Sequence, residues 1–131
     1  GYIRFEPRGQ YIGTEPYNKW TKPSCVLIGE DNYSDACGFP YVYKTLGIGK
    51  LIGAPVPGTM TAVWWENQID PSIVFGIPQV GALGVKEGRY LENMQIEPDI
   101  LVYNDPASVL RGEDKQLEAA VKEMLKTIES R

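Results

Sequence analysis

The chain has 131 residues, 43% of them apolar, enough for one globular domain with a real core. Lys and Arg total 13 against 17 Asp and Glu, a net charge of −4 with no basic run, which argues against nucleic acid or an anionic membrane as partner. No apolar stretch approaches the roughly 18 residues that cross a bilayer, and no charged-then-apolar start resembles a signal peptide.

Residues 1–24 mix Pro, Gly and aromatics without a period and read as an irregular lead-in with at most one short strand. The β-branched run CVLIG (25–29) reads as a strand buried on both faces. From Ser34 to Leu46 the pattern turns helical, with Phe39, Val42, Tyr43 and Leu46 on one stripe and Gly47 as terminator. Pro40 inside that stretch implies a kink or a late start. KLIGAPV (50–56) is placed to return parallel to the first strand. Residues 60–69, 72–83, 89–92 and 99–103 read as further strands separated by turn signals. The closing segment is amphipathic: Leu117, Ala120, Val121, Met124, Leu125 and Ile128 form one stripe, with Asp114 as N-cap. This order implies a layered α/β fold in a single domain, residues 1–131.

Chemistry-bearing residues are few. There is no histidine, so the commonest general base and the commonest metal ligand are both missing. No metal site is expected, and no coenzyme motif is present, so no cofactor is expected either. Cys25 and Cys37 are expected as two free, buried thiols. Ser34 stands on the corner between a buried strand and a helix, where unpaired backbone N–H groups can stabilise negative charge. Two readings of that corner compete on spacing alone. Ser34, Asp31 or Asn32 caps the helix, or Ser34 is a nucleophile exposed at the helix start. Tyr41, Tyr43, Trp64 and Trp65 could line a peptide groove, although core packing is the expected role for most of them.

Three pieces in order tip that balance. VLIGEDNYSDACGFPYVYKTLGIGKLIG resembles the nucleophile segment of the tricorn and carboxyl-terminal processing (tail-specific) serine peptidases, LENMQIEPDILV is similar to their Glu-Asn-x-Gly-x-x-Pro-Asp strand, and RGEDKQLEAAV to the helix start that follows. The resemblance covers about residues 25–128 and implies a partial crotonase-like fold. It implies Ser34 as the acyl-forming nucleophile, the Asp35 backbone amide as half of an oxyanion hole, and Glu92 as a member of the catalytic network. The lysine base of the processing branch has no match in GAPVPGTMTAVW, and Lys50 reads as a solvated turn residue, so the tricorn branch is nearer. That branch uses a histidine upstream of the matching region. The expectation is therefore a C-terminal piece of a peptidase core, inactive alone. Gln95 in place of Gly and PVPGT (55–59) in place of Thr-x-Gly-Gly depart from the family pattern near the substrate channel. The expected partners are a peptide or protein substrate and a second copy pairing through open sheet edges. No compartment follows from the residues; the resemblance slightly favours a periplasmic or exported protein.

Overall fold

A computed structural model describes the strand backbones of residues 3–5 and 13–15 and the continuous stretch 20–130. In the lead-in, β1 (Ile3–Phe5) and β2 (Gly13–Glu15) pair antiparallel, two strands where at most one was expected. Residues 1–2, 6–12 and 16–19 of that lead-in lie outside the described residues.

The centre of the molecule is a three-stranded parallel sheet in the order β3 (Cys25–Ile28), β4 (Lys50–Gly53), β9 (Ile100–Leu101). Between β3 and β4 runs α1 (Asp35–Thr45), the crossover that parallel pairing requires. Leu51 and Ile52 are adjacent on β4, so they point to opposite faces, and both are fully buried. Leu51 joins Ile28, Cys37, Tyr43 and Val56 in one cluster on the α1 side. On the other face, α3 (Lys115–Glu129) packs against β3 and β4, and its Glu123 takes the ammonium of Lys50, two residues before Ile52. The result is a helix–sheet–helix layering. Gly53 lies at φ 134°, and a Cβ there would stand 2.0 Å from the Ile28 carbonyl oxygen, so the strand end admits only glycine.

Four expectations are corrected. Leu27 is 41% exposed, because β3 is an edge strand, so only β4 is buried on both faces. The packed face of α1 is Cys37, Pro40 and Tyr43, whereas Phe39, Val42 and Leu46 are exposed. The helix does not start late but runs from Asp35 through Pro40 to Thr45; it ends in a Schellman arrangement, with Gly47 at φ 64° and the Ile48 amide on the Tyr43 carbonyl. On α3 only Ala120 is fully buried, although Asp114 caps the helix through the Leu117 amide as the sequence implies.

The middle of the chain forms an antiparallel hairpin, β5 (Ala62–Asn67) with β6 (Val74–Val80), and a smaller one, β7 (Leu83–Gly84) with β8 (Arg89–Tyr90). A short helix absent from the sequence reading, α2 (Pro106–Leu110), is capped by Asp105 on the Ser108 amide. Among the described helices, none is long and apolar enough to cross a membrane.

Leu51→Ala is expected to cost about 2–5 kcal/mol, because the cavity it leaves lies in the one strand covered on both faces. Leu117→Ala, at a residue 51% exposed, should cost under about 1 kcal/mol; urea unfolding followed by circular dichroism compares the two.

Candidate active site

Ser34 occupies the N-cap position of α1 but does not cap it. Its side chain makes no hydrogen bond to the helix, and its backbone sits at φ 54°, ψ −122°. That region is sterically disfavoured for any residue with a Cβ and costs about 1–3 kcal/mol. The turn places the hydroxyl at an exposed corner between strand and helix, the geometry by which a strained strand-to-helix turn presents a nucleophile. Beside it, the Asp35 amide has no acceptor among the described residues, as expected for a first-turn N–H.

Several contacts hold the corner. The Ser34 amide donates to the Thr59 carbonyl at 2.9 Å, and the Ser34 carbonyl accepts from the Cys37 and Gly38 amides. Pro40 has no N–H for the Ala36 carbonyl four residues back. The Asn32 side chain fills that place, with Nδ2 on the Ala36 oxygen at 3.1 Å while its Oδ1 accepts from the Gly29 amide at 3.3 Å. Thus one asparagine closes the turn before the serine and satisfies the carbonyl that the proline leaves open. The fully buried Cys37 thiol donates to the Pro57 carbonyl at 2.9 Å. Both cysteines are free, but Cys25 is only half-buried; burial, then the Glu123 charge, pushes its thiol up.

The turn at Glu92 grips the same segment that the corner rests on. Glu92 Oε2 accepts from the Met60 amide at 2.8 Å and the Thr61 amide at 2.7 Å. The Thr61 hydroxyl and these two amides hold its carboxyl below the ordinary value of 4.5. The Asn93 amide, on a residue at φ 60°, donates to the Gly58 carbonyl at 2.7 Å. A Cβ on Gly58 would meet the Met94 backbone nitrogen at 2.2 Å, so the close approach needs glycine. Glu92 therefore reaches Ser34 through Thr59–Thr61, not by contact with the serine side chain. Gln95, the departure from the family pattern, is exposed and bonds only Glu97.

A cavity of about 220 Å³ opens next to Met60, walled also by Tyr41, Lys44, Leu91, Met94 and Ile96. Of the four candidate groove aromatics, Tyr41 lines this cavity and Tyr43 is buried. Trp64 and Trp65 are 57% and 67% exposed on β5, so core packing is wrong for both. Asn32 in its bridging role, Cys37 and Thr59 were missed as site residues; the Asn-to-Pro spacing of eight was the available signal. Among the described residues no group of three or more Asp, Glu or Cys side chains is placed to hold a metal ion.

The model of peptidase family S41 matches residues 3–102. The chain belongs to that family. A protein of Chlamydia pneumoniae is 34% identical over 90 residues, which are 68% of this chain and 14% of that one. The tricorn protease of Thermoplasma acidophilum is 25% identical over 122 residues, 93% of this chain and 11% of the relative. The crystal structure of the tricorn protease superposes with a TM-score of 0.76 at 24% sequence identity, over 96% of this chain and 12% of that one, a likeness of mixed α/β fold. The chain spans only about one eighth of the length of these curated relatives, and the family places it in a serine-type protease context.

Ser34→Ala is expected to leave stability within about 0.5 kcal/mol, and Ser34→Gly to raise it by about 1 kcal/mol as the strain is relieved. A capping serine would instead lose about 0.5–2 kcal/mol on change to Ala, so urea midpoints of the two variants separate the roles. For Glu92 the folded value is depressed, so its stabilisation is present above the ordinary 4.5 and is lost as pH falls below it. Protection of the Met60 and Thr61 amides from hydrogen exchange should fall in that window, and Glu92→Gln should abolish the dependence.

Proposed function

We propose that this S41 chain carries the nucleophile-bearing part of a serine endopeptidase core of crotonase-like layering, with Ser34 forming the acyl-enzyme. The observation that carries this is a serine at φ 54°, ψ −122° whose exposed hydroxyl is not used as a cap. Strain of that kind persists only where the surroundings over-determine it.

In this reading Ser34 Oγ attacks the scissile carbonyl, and its proton passes to a base and then to the leaving amine. The Asp35 amide, fixed at the start of α1, donates to the oxyanion without reorganising. Glu92 is a positioning residue: its two amide contacts fix Met60 and Thr61, and thereby the Thr59 carbonyl on which the Ser34 amide rests. The chain has no histidine, and Lys50 is paired with Glu123 on the far face of the sheet, so the base comes from a segment outside these 131 residues. Without it, turnover by this chain alone is expected to be lower by several orders of magnitude. The substrate class is a peptide or protein, and assembly with a second copy is proposed through the open sheet edges.

A fluorophosphonate probe tests the assignment. The product of the whole open reading frame should be labelled, its Ser34→Ala variant should not, and the 131-residue chain should react far more slowly. A folded whole-frame product that takes no probe would leave a peptide-binding domain without catalysis.

A further inference from the structure

We infer that the cavity beside Met60 is a subsite for one large apolar side chain of the substrate, about three residues from the scissile bond; this rests on Ser34 being the nucleophile. Size decides the ligand class first. At about 220 Å³ the cavity is smaller than the roughly 300–1,000 Å³ of small-molecule and cofactor sites, and it suits a single side chain.

Chemistry decides which side chain. Three polar groups in the wall are already engaged with their own chain: the Tyr41 hydroxyl donates to Glu87, Gln95 Nε2 donates to the Glu97 carboxylate at 2.8 Å, and Lys44 Nζ donates to the Glu97 carbonyl at 2.6 Å and pairs with Asp99 at 3.2 Å. The apolar part of the wall is Met60, Leu91, Met94 and Ile96, two of them thioethers that adapt to different apolar shapes. The lining also carries charges of both signs, Lys44 and Lys86 with Glu87 and Glu97, so a charged side chain of either sign meets a like charge.

Position ties the cavity to the peptide. Tyr41 lies seven residues along α1 from Ser34, which is about 10 Å at 1.5 Å per residue, or three residues of extended chain at about 3.3 Å each. Met60, also in the lining, adjoins the Thr59 carbonyl that holds the Ser34 amide. An extended peptide with its carbonyl at Ser34 can therefore drop a side chain here.

The three methionines make the test direct, since Met60 and Met94 line the cavity while Met124 lies on α3 across the sheet. The chain, labelled with ¹³C at its methionine methyls, is titrated with a capped hexapeptide bearing one Leu, and with the same peptide bearing Asp or Gly there. The expected result is a shift of the Met60 and Met94 signals with Met124 unmoved, and at least tenfold weaker binding of the Asp and Gly peptides. Met94→Lys should weaken the Leu peptide at least tenfold, with Met94→Leu restoring it as the folded control. Shifts that persist in Ser34→Ala support the subsite independently of any probe result at Ser34. Unmoved Met60 and Met94 signals at millimolar peptide, or equal binding of the Leu and Asp peptides, overturn it even if the serine is labelled.

Discussion

The hydrogen bond from the Ser34 amide to the Thr59 carbonyl is the contact on which the rest of this architecture depends. It joins the two ends of the parallel crossover unit: the corner where β3 gives way to α1, and the segment that leaves β4. Strain at Ser34 of about 1–3 kcal/mol opposes it. A single hydrogen bond contributes only about 0.5–1.5 kcal/mol net, so one bond does not secure the corner. The Asn32 bridge and the Cys37 thiol bond add two further anchors on the same few residues, and together they are of the right size to hold it.

Thr59 can serve as an anchor only because residues 55–61 are themselves held on their far side. The stretch from Glu92 to Asp99 laces along that segment and β4. Glu92 takes Met60 and Thr61, Asn93 takes Gly58, Ile96 pairs with Val56 through two hydrogen bonds at 3.0 Å, and Asp99 takes the Leu51 amide at 2.8 Å. This gives a physical meaning to the LENMQIEPD piece of the family resemblance: its polar residues pin a loop that has few partners of its own. The segment they pin has two prolines and a crowded glycine, and its one ladder-type pairing among the described residues is the Val56–Ile96 bridge.

How much was legible in the sequence follows from what each signal measures. Caps and terminators act locally, so Asp114 and Gly47 could be placed from their neighbours alone. Periodicity reports that a stripe is apolar but not which stripe is covered. On α1 the residues that pack are Cys37, Pro40 and Tyr43, two of them small, whereas the larger Phe39, Val42 and Leu46 stay exposed. Leu27 was misread for a related reason, since a β-branched run carries no information about whether its strand lies at the centre or the edge of a sheet. The serine corner was visible as a spacing, but that its side chain leaves the helix uncapped goes with a backbone angle that no composition encodes. Thr59 was illegible altogether, because its role is played by a carbonyl oxygen, which every residue type has.

That last point bears on how the site and the cavity are related. Residues 59–61 carry three functions in a row: Thr59 offers its carbonyl to the serine corner, Met60 offers its side chain to the cavity, and Met60 and Thr61 give their amides to Glu92. Backbone groups do the positioning, so side-chain identity at Met60 is left free to shape the cavity. The carboxylate that receives both amides is held below its ordinary value, so it remains charged, and its grip intact, throughout the neutral range. A substrate side chain pressed against Met60 would therefore meet a wall whose backbone is fixed by Glu92. Such a wall positions a peptide relative to the proposed nucleophile without having to move, as near-attack geometry requires.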